Sequence, residues 1–89
     1  MLFQSVKIKG DLVLMNPAGL EQVRGASGYK YVELDMSATG CMDSAGMDLV
    51  FKLATDVRKK GGRLTIRNAR PHVREVMDMC RMDAVADIE

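Results

Sequence analysis

Met42-Asp43-Ser44-Ala45-Gly46-Met47 joins a strand-like run to a helix-like run through small residues able to turn sharply. Upstream, Tyr31-Val32-Glu33-Leu34-Asp35-Met36 alternates as a strand does and carries residue types suited to a pleated, buried sheet. Downstream, Met47, Val50, Phe51, Ala54 and Val57 recur at i, i+3, i+4, i+7 and i+10, which at the helical period makes one apolar stripe. The stretch therefore reads as a strand-to-helix switch with an exposed hydroxyl.

Ser44 or Asp43 is the natural N-cap, because either side-chain oxygen can accept from the unpaired N–H groups of the first turn. By base rate a serine or aspartate that opens a helix is a cap and nothing more. The same position favours negative charge, so a phosphate on that hydroxyl would meet converging N–H groups and the helix dipole, worth about 0.3–1 kcal/mol. Ser44 reads as either a cap or a switch.

Outward from this turn, residues 2–9 alternate as a strand apart from one slip at Gln4-Ser5. An edge position suits them, since lysines discourage pairing with another molecule. Gly10-Asp11 resembles a hairpin turn, and Leu12-Val13-Leu14-Met15 is a short continuous apolar run. Together they predict an antiparallel opening hairpin whose second strand is interior. Asn16-Pro17 stops that strand and starts about two helical turns, which Gly25, Ser27 and Gly28 end. Residues 31–37 form the next strand.

The main helix is expected over residues 44–60, closed by Gly61-Gly62, which supply the left-handed conformation that helix ends prefer. Leu49 and Leu53 fall off the centre of its apolar stripe. A partly exposed leucine pair beside Ser44 suggests a docking face, although isolated surface leucines are common. Residues 63–68 alternate as a strand, Pro71 opens a helix with Val73, Val76, Met77 and Cys80 in helical register, and residues 84–88 offer a short last strand. His72, in the first turn of that helix, reads as solvated. The order predicts an α/β domain: one small mixed sheet of four to five strands with two to three helices packed on it. Right-handed crossovers would set the strands at 12–15, 31–37 and 63–68 in parallel, with 2–9 antiparallel at the edge. Ser44 would then emerge at the carboxyl end of a central strand.

At 89 residues the chain is expected to be one domain over 1–89 that folds without disulfide or metal. Thirteen Lys and Arg against twelve Asp and Glu give +1, which offers no net attraction to a polyanion, so no nucleic-acid partner is expected. Arg58, Lys59, Lys60 and Arg63 bunch at a helix end, where cations complement the dipole. Cys41 and Cys80 follow no zinc or CxxC spacing and read as reduced, buried thiols, with no metal or cofactor implied. No apolar run approaches the roughly 18 residues of a membrane span, and the N-terminus lacks the form of a secretory signal. A cytoplasmic protein without direct membrane insertion is expected. An enzyme is not: there is one histidine, no phosphate-binding Gly-rich loop and no paired carboxylates at a recognisable pocket, and Ser44 has no general base in view.

Three segments in register resemble the STAS domain, the fold of anti-sigma factor antagonists. They are Leu34-Asp35-Met36-Ser37, Asp43-Ser44-Ala45-Gly46-Met47 and Lys60-Gly61-Gly62, and the likeness extends through Asn68 and from Val73 to Val85. In signalling members of that family the first serine of an Asp-Ser-Ser-Gly motif is phosphorylated by an anti-sigma factor with serine kinase activity. The resemblance assigns that role to Ser44. It implies that the bare form binds the anti-sigma factor, that Asp43 holds the turn and touches the kinase, and that Gly46 keeps the helix start open to a partner. The partner surface so implied comprises Asp43, Ser44, Ala45, Gly46, Met47, Leu49 and Leu53.

The chain departs from the family pattern at Ala45, which replaces the second serine, in a short first crossover over residues 16–30, and at Arg81, where a helix-ending glycine is usual. Ala45 also brings it toward STAS accessory subunits of lipid-transport ABC complexes, which bind an ATPase subunit. That likeness implies an alternative partner.

Overall fold

Residues 2–89 are described by the computed structural model, and their strands bury every second side chain. β1 (Phe3–Lys9), β2 (Tyr31–Ala38), β3 (Arg63–Arg67) and β4 (Asp87–Ile88) form one sheet in the order β1-β2-β3-β4. Val32, Leu34 and Met36 of β2 and Leu64 and Ile66 of β3 turn inward, while Glu33, Thr65 and Arg67 turn to the other face. Three helices cover the inward face: α1 (Pro17–Arg24), α2 (Ser44–Lys59) and α3 (Pro71–Met79). Leu20 and Val23 of α1, Val50, Ala54 and Val57 of α2, and Val73 and Met77 of α3 join the strand residues in one buried cluster. Each large apolar side chain sealed there contributes about 1.5–3 kcal/mol.

The expected α/β class, with four strands and three helices, is the observed one. The pairing of the first strand is not as expected. Every strand pair is parallel, with Phe3 beside Tyr31, Tyr31 beside Arg63 and Thr65 beside Asp87. The hairpin read at Gly10-Asp11 does not form. Gly10 takes φ +88, and the chain leaves the sheet there, so β1 reaches β2 by a crossover through α1. Within the apolar run only Leu12 pairs, in a lone parallel bridge to Met42, with its N–H donating to the Cys41 carbonyl at 3.0 Å. The Asn16 N–H bonds to the Val13 carbonyl at 2.9 Å and closes a turn, leaving Leu14 and Met15 67% and 90% exposed. The N–H and C=O of Leu12 and the N–H of Leu14 are taken by the loop after β2, which removes them from any hairpin.

The helix ends follow their local chemistry. Pro17 and Pro71 open α1 and α3, where a missing N–H costs nothing. α2 closes at Lys60, followed by Gly61 at φ +79. After α3, Arg81 adopts φ 61, the left-handed conformation for which the family pattern supplies a glycine. A 3-10 turn at Met82–Ala84 then leads into β4.

Candidate functional site

The turn into α2 is fixed by Asp43. Its extended backbone (φ −104, ψ −172) makes it the N-cap, with one carboxylate oxygen accepting from the Gly46 N–H at 3.1 Å. The other oxygen accepts from the Leu14 N–H at 2.9 Å. The Asp43 N–H in turn donates to the Leu12 carbonyl at 3.2 Å. Those N–H groups, Leu14 first and Gly46 second, hold the Asp43 carboxyl below the usual carboxylate range by favouring its charged form. Of the two candidate caps, Asp43 is the one used. Ser44 is the first residue of α2 and is exposed.

Gly46 does something other than hold the helix start open. It is buried, and a Cβ built on it would lie 2.0 Å from the Leu12 carbonyl oxygen, so the 12–14 segment crosses the first turn of α2 where only glycine fits. Met47 also turns inward, at 5% exposure. Of the residues expected to meet a partner, Asp43, Ala45 and Leu49 are half-buried and Ser44 is exposed. Leu53 does not share that surface. At 3% exposure it lies in the core, because α1 packs against that flank of α2 and Leu53 joins Val23 of α1 in the buried cluster. Phe51, expected on the apolar stripe, is half-buried on the flank that faces α3.

That flank opens into a groove of about 340 Å³ lined by Met42, Ser44, Met47, Phe51, Val76 and Cys80. The serine hydroxyl thus borders a largely apolar depression between α2 and α3. Both cysteines are free and exposed, contrary to the expectation of buried thiols. Met42 takes the inward position, leaving Cys41 to the outside, and Cys80 follows the last turn of α3 at the groove. His72 is exposed, as read from the sequence.

The surrounding loops are knitted by polar residues that sequence reasoning passed over. The Gly40 N–H donates to the Asp11 carboxylate at 3.0 Å, and the Asn16 side-chain amide donates to the Asp11 carbonyl at 2.8 Å. The Arg70 guanidinium donates to the Ser37 carbonyl at 3.0 Å. Asp35 accepts from the Ser37 N–H at 2.9 Å, and that bond, followed by one from the Ser37 side chain, lowers its pKa. The available signal was an aspartate two residues before a serine and an asparagine before a proline, both local turn chemistry. Among the described residues no group of three His, Cys, Asp or Glu side chains is placed to hold a metal ion, and no helix is long and apolar enough to cross a membrane.

Comparison with known proteins adds the lineage of this arrangement. A family model described as the STAS domain matches residues 2–89. A candidate anti-sigma factor antagonist of Bordetella bronchiseptica, BtrV, is 31% identical over 84 residues, covering 82% of this chain and 72% of that protein. Among solved structures, a candidate anti-sigma factor antagonist from Thermotoga maritima superposes with a TM-score of 0.77 at 16% identity, over 97% of this chain and 77% of the other. The anti-sigma factor antagonist SpoIIAA in its unphosphorylated form gives 0.73 at 19% identity, over 98% and 78%. The phosphorylated form of the Bacillus protein gives 0.64 at 18% identity, over 98% and 82%. At these identities the structural likeness establishes the fold.

Proposed function

The chain belongs to the STAS domain family, and from that premise we propose that it is a non-enzymatic, anti-sigma factor antagonist-type binding module gated by phosphorylation of Ser44. The observation that carries the reading is the division of labour at the turn. Asp43 caps the helix, so the Ser44 hydroxyl is exposed at the first helical position and borders an apolar groove. The partner is an anti-sigma factor with serine kinase activity, which docks over the start of α2 when Ser44 is bare. BtrV, named as a candidate anti-sigma factor antagonist, and SpoIIAA, known in both unphosphorylated and phosphorylated forms, support this assignment.

The physical gate is desolvation. A phosphate brings about −1.5 to −2 charges to the rim of an apolar surface, beside an Asp43 carboxylate that stays ionised. A docked partner would have to strip that charge of water and set it against a like charge. Ser44→Asp is expected to weaken partner binding about tenfold or more, whereas Ser44→Ala binds like the parent and escapes modification.

The test is incubation with each serine-kinase anti-sigma factor encoded in the same genome, with ATP, followed by mass-spectrometric mapping. Phosphate on Ser44 supports the reading. Phosphate elsewhere, or none with any kinase, overturns it, and affinity purification that recovers an ABC ATPase subunit instead of a kinase assigns the chain to transport.

A further inference from the structure

Two large apolar side chains stand in solvent beside the switch: Leu14 is 67% exposed and Met15 90%. The turn that carries them is held firmly. The Leu14 N–H donates to the Asp43 carboxylate at 2.9 Å, the Asn16 N–H closes on the Val13 carbonyl, and the Asn16 side-chain amide donates to the Asp11 carbonyl at 2.8 Å. Just before them, the Leu12 carbonyl lies against Gly46, where a Cβ would not fit. These contacts fix a turn that leaves apolar surface in water, a feature that marks sites of protein association.

Position selects the occupant. Through Asp43, Leu14 is separated from Ser44 by one hydrogen bond and one peptide unit. With Ala45 and Leu49 it lines a shallow depression between α1 and α2, so Ser44 has apolar surface on both sides. A stable complex covers about 800 Å² on each partner, a disc roughly 16 Å in radius. An enzyme whose footprint is centred on the Ser44 hydroxyl therefore covers Leu14 and Met15 as well.

We propose that Leu14 and Met15 are the anchor by which the serine-kinase anti-sigma factor recognises this chain, and that the partner receives them in an apolar pocket beside its phosphate-transfer site. The inference rests on the reading of Ser44 given above and names the contact that chooses the partner. Leu53 is buried and cannot supply that contact. Leu14 and Met15 supply it from a segment that reaches Asp43 across 29 residues of sequence. A few anchors carry most of the energy of a protein interface, and methionine is enriched there. Because the pair lies outside the chemistry at Ser44, it sets affinity and leaves the rate of transfer alone.

The test is equilibrium binding and phosphorylation kinetics with each serine-kinase anti-sigma factor encoded in the same genome. With a factor that binds the parent chain, Leu14→Ala and Met15→Ala are each expected to weaken binding about tenfold or more, and to raise KM for Ser44 by a like factor with kcat unchanged. Leu2→Ala is the control. Leu2 is 64% exposed but precedes β1, at the opposite end of the sheet from Ser44, and its loss is expected to change neither quantity. All three variants should keep the thermal midpoint of the parent, as exposed positions do. If Leu14→Ala and Met15→Ala bind like the parent while Ser44 is phosphorylated, the anchor is overturned and the switch stands. A midpoint lowered by about 4 °C or more in either variant also overturns it, because the pair would then pack against another part of the chain. So does an equal loss of binding in Leu2→Ala. Weakened binding in both variants to a factor that leaves Ser44 unmodified keeps the anchor and removes the switch, and a parent chain that no such factor binds removes both.

Discussion

Asp43 ties the stability of the turn to its protonation. Its folded-state pKa is depressed by the N–H groups of Leu14 and Gly46, so the charged form is favoured in the fold over the unfolded chain. The stabilisation is fully present above the unfolded value of about 4 and drains away as pH falls through the lower, folded value. Asp35, depressed by the Ser37 N–H, acts in the same direction. The urea midpoint is expected to stay level from neutral pH to about 5 and then fall, less steeply for Asp43→Asn, which keeps an acceptor but cannot titrate. A variant as acid-sensitive as the parent would show that Asp43 contributes nothing to this slope. Asp43→Ala removes both acceptors and should lower Tm by about 4–8 °C, the shift that losing a cap gives in a domain of this size. The thiols supply a second check, because Cys41 and Cys80 are both exposed. Ellman's reagent should titrate both in the folded protein at rates close to those in urea, and a slow phase would mean that one is covered. The site was legible at this scale as residue types, since few side chains can cap a helix. Which of Asp43 and Ser44 caps it was not legible, because the choice depends on a Leu14 N–H arriving from 29 residues away.

Elements declared themselves where their signals were local. Proline starts, glycine ends and period-two alternation placed α1, α2, β2, β3 and α3 within a residue or two of where they lie. Two readings went astray where the deciding contact was distant. The apolar run at 12–15 has the composition of a buried strand, yet Leu12 and Leu14 give their N–H groups to Cys41 and Asp43, and the chain turns away. Leu53 sat off the centre of the α2 stripe because a helical wheel assumes a single covering surface. α2 rests on the sheet and also meets α1 on one flank, which widens its buried arc toward Val23 and Leu53. Leu53→Ala is therefore expected to cost about 2–5 kcal/mol in urea unfolding, as for any sealed leucine. Leu49→Ala, at a half-buried position one turn earlier, should cost clearly less. Equal and small losses at both would return Leu53 to the surface.

The molecule as a whole has an unusual asymmetry for an all-parallel sheet, since such sheets are commonly covered on both faces. All three helices pack into the cluster on one side, and the opposite face carries polar rows, with the exposed rings of Phe3 and Tyr31 side by side at one end of them. Those rows alternate in sign across the strands: Lys7 on β1, Glu33 and Asp35 on β2, Arg63 and Arg67 on β3, and Asp87 on β4 followed by Glu89. Arg67 reaches Glu33 and Glu89, each at 3.3 Å, and Arg63 reaches Asp87 at 3.1 Å. Exposed pairs of this kind contribute about 0–1 kcal/mol each and weaken with salt, so the ladder keeps the open face wet without stabilising it much. Adjacent positions in one strand can test that. Ile66 faces the helices with no exposed surface, and Ile66→Ala should cost about 2–5 kcal/mol independent of ionic strength. Arg67, its neighbour on the open face, is half exposed, and Arg67→Ala should cost no more than about 1 kcal/mol, with most of that gone in concentrated salt. If Arg67→Ala proved as damaging as Ile66→Ala, or its cost were indifferent to salt, the face that reads as solvated would have to be covered in the working protein.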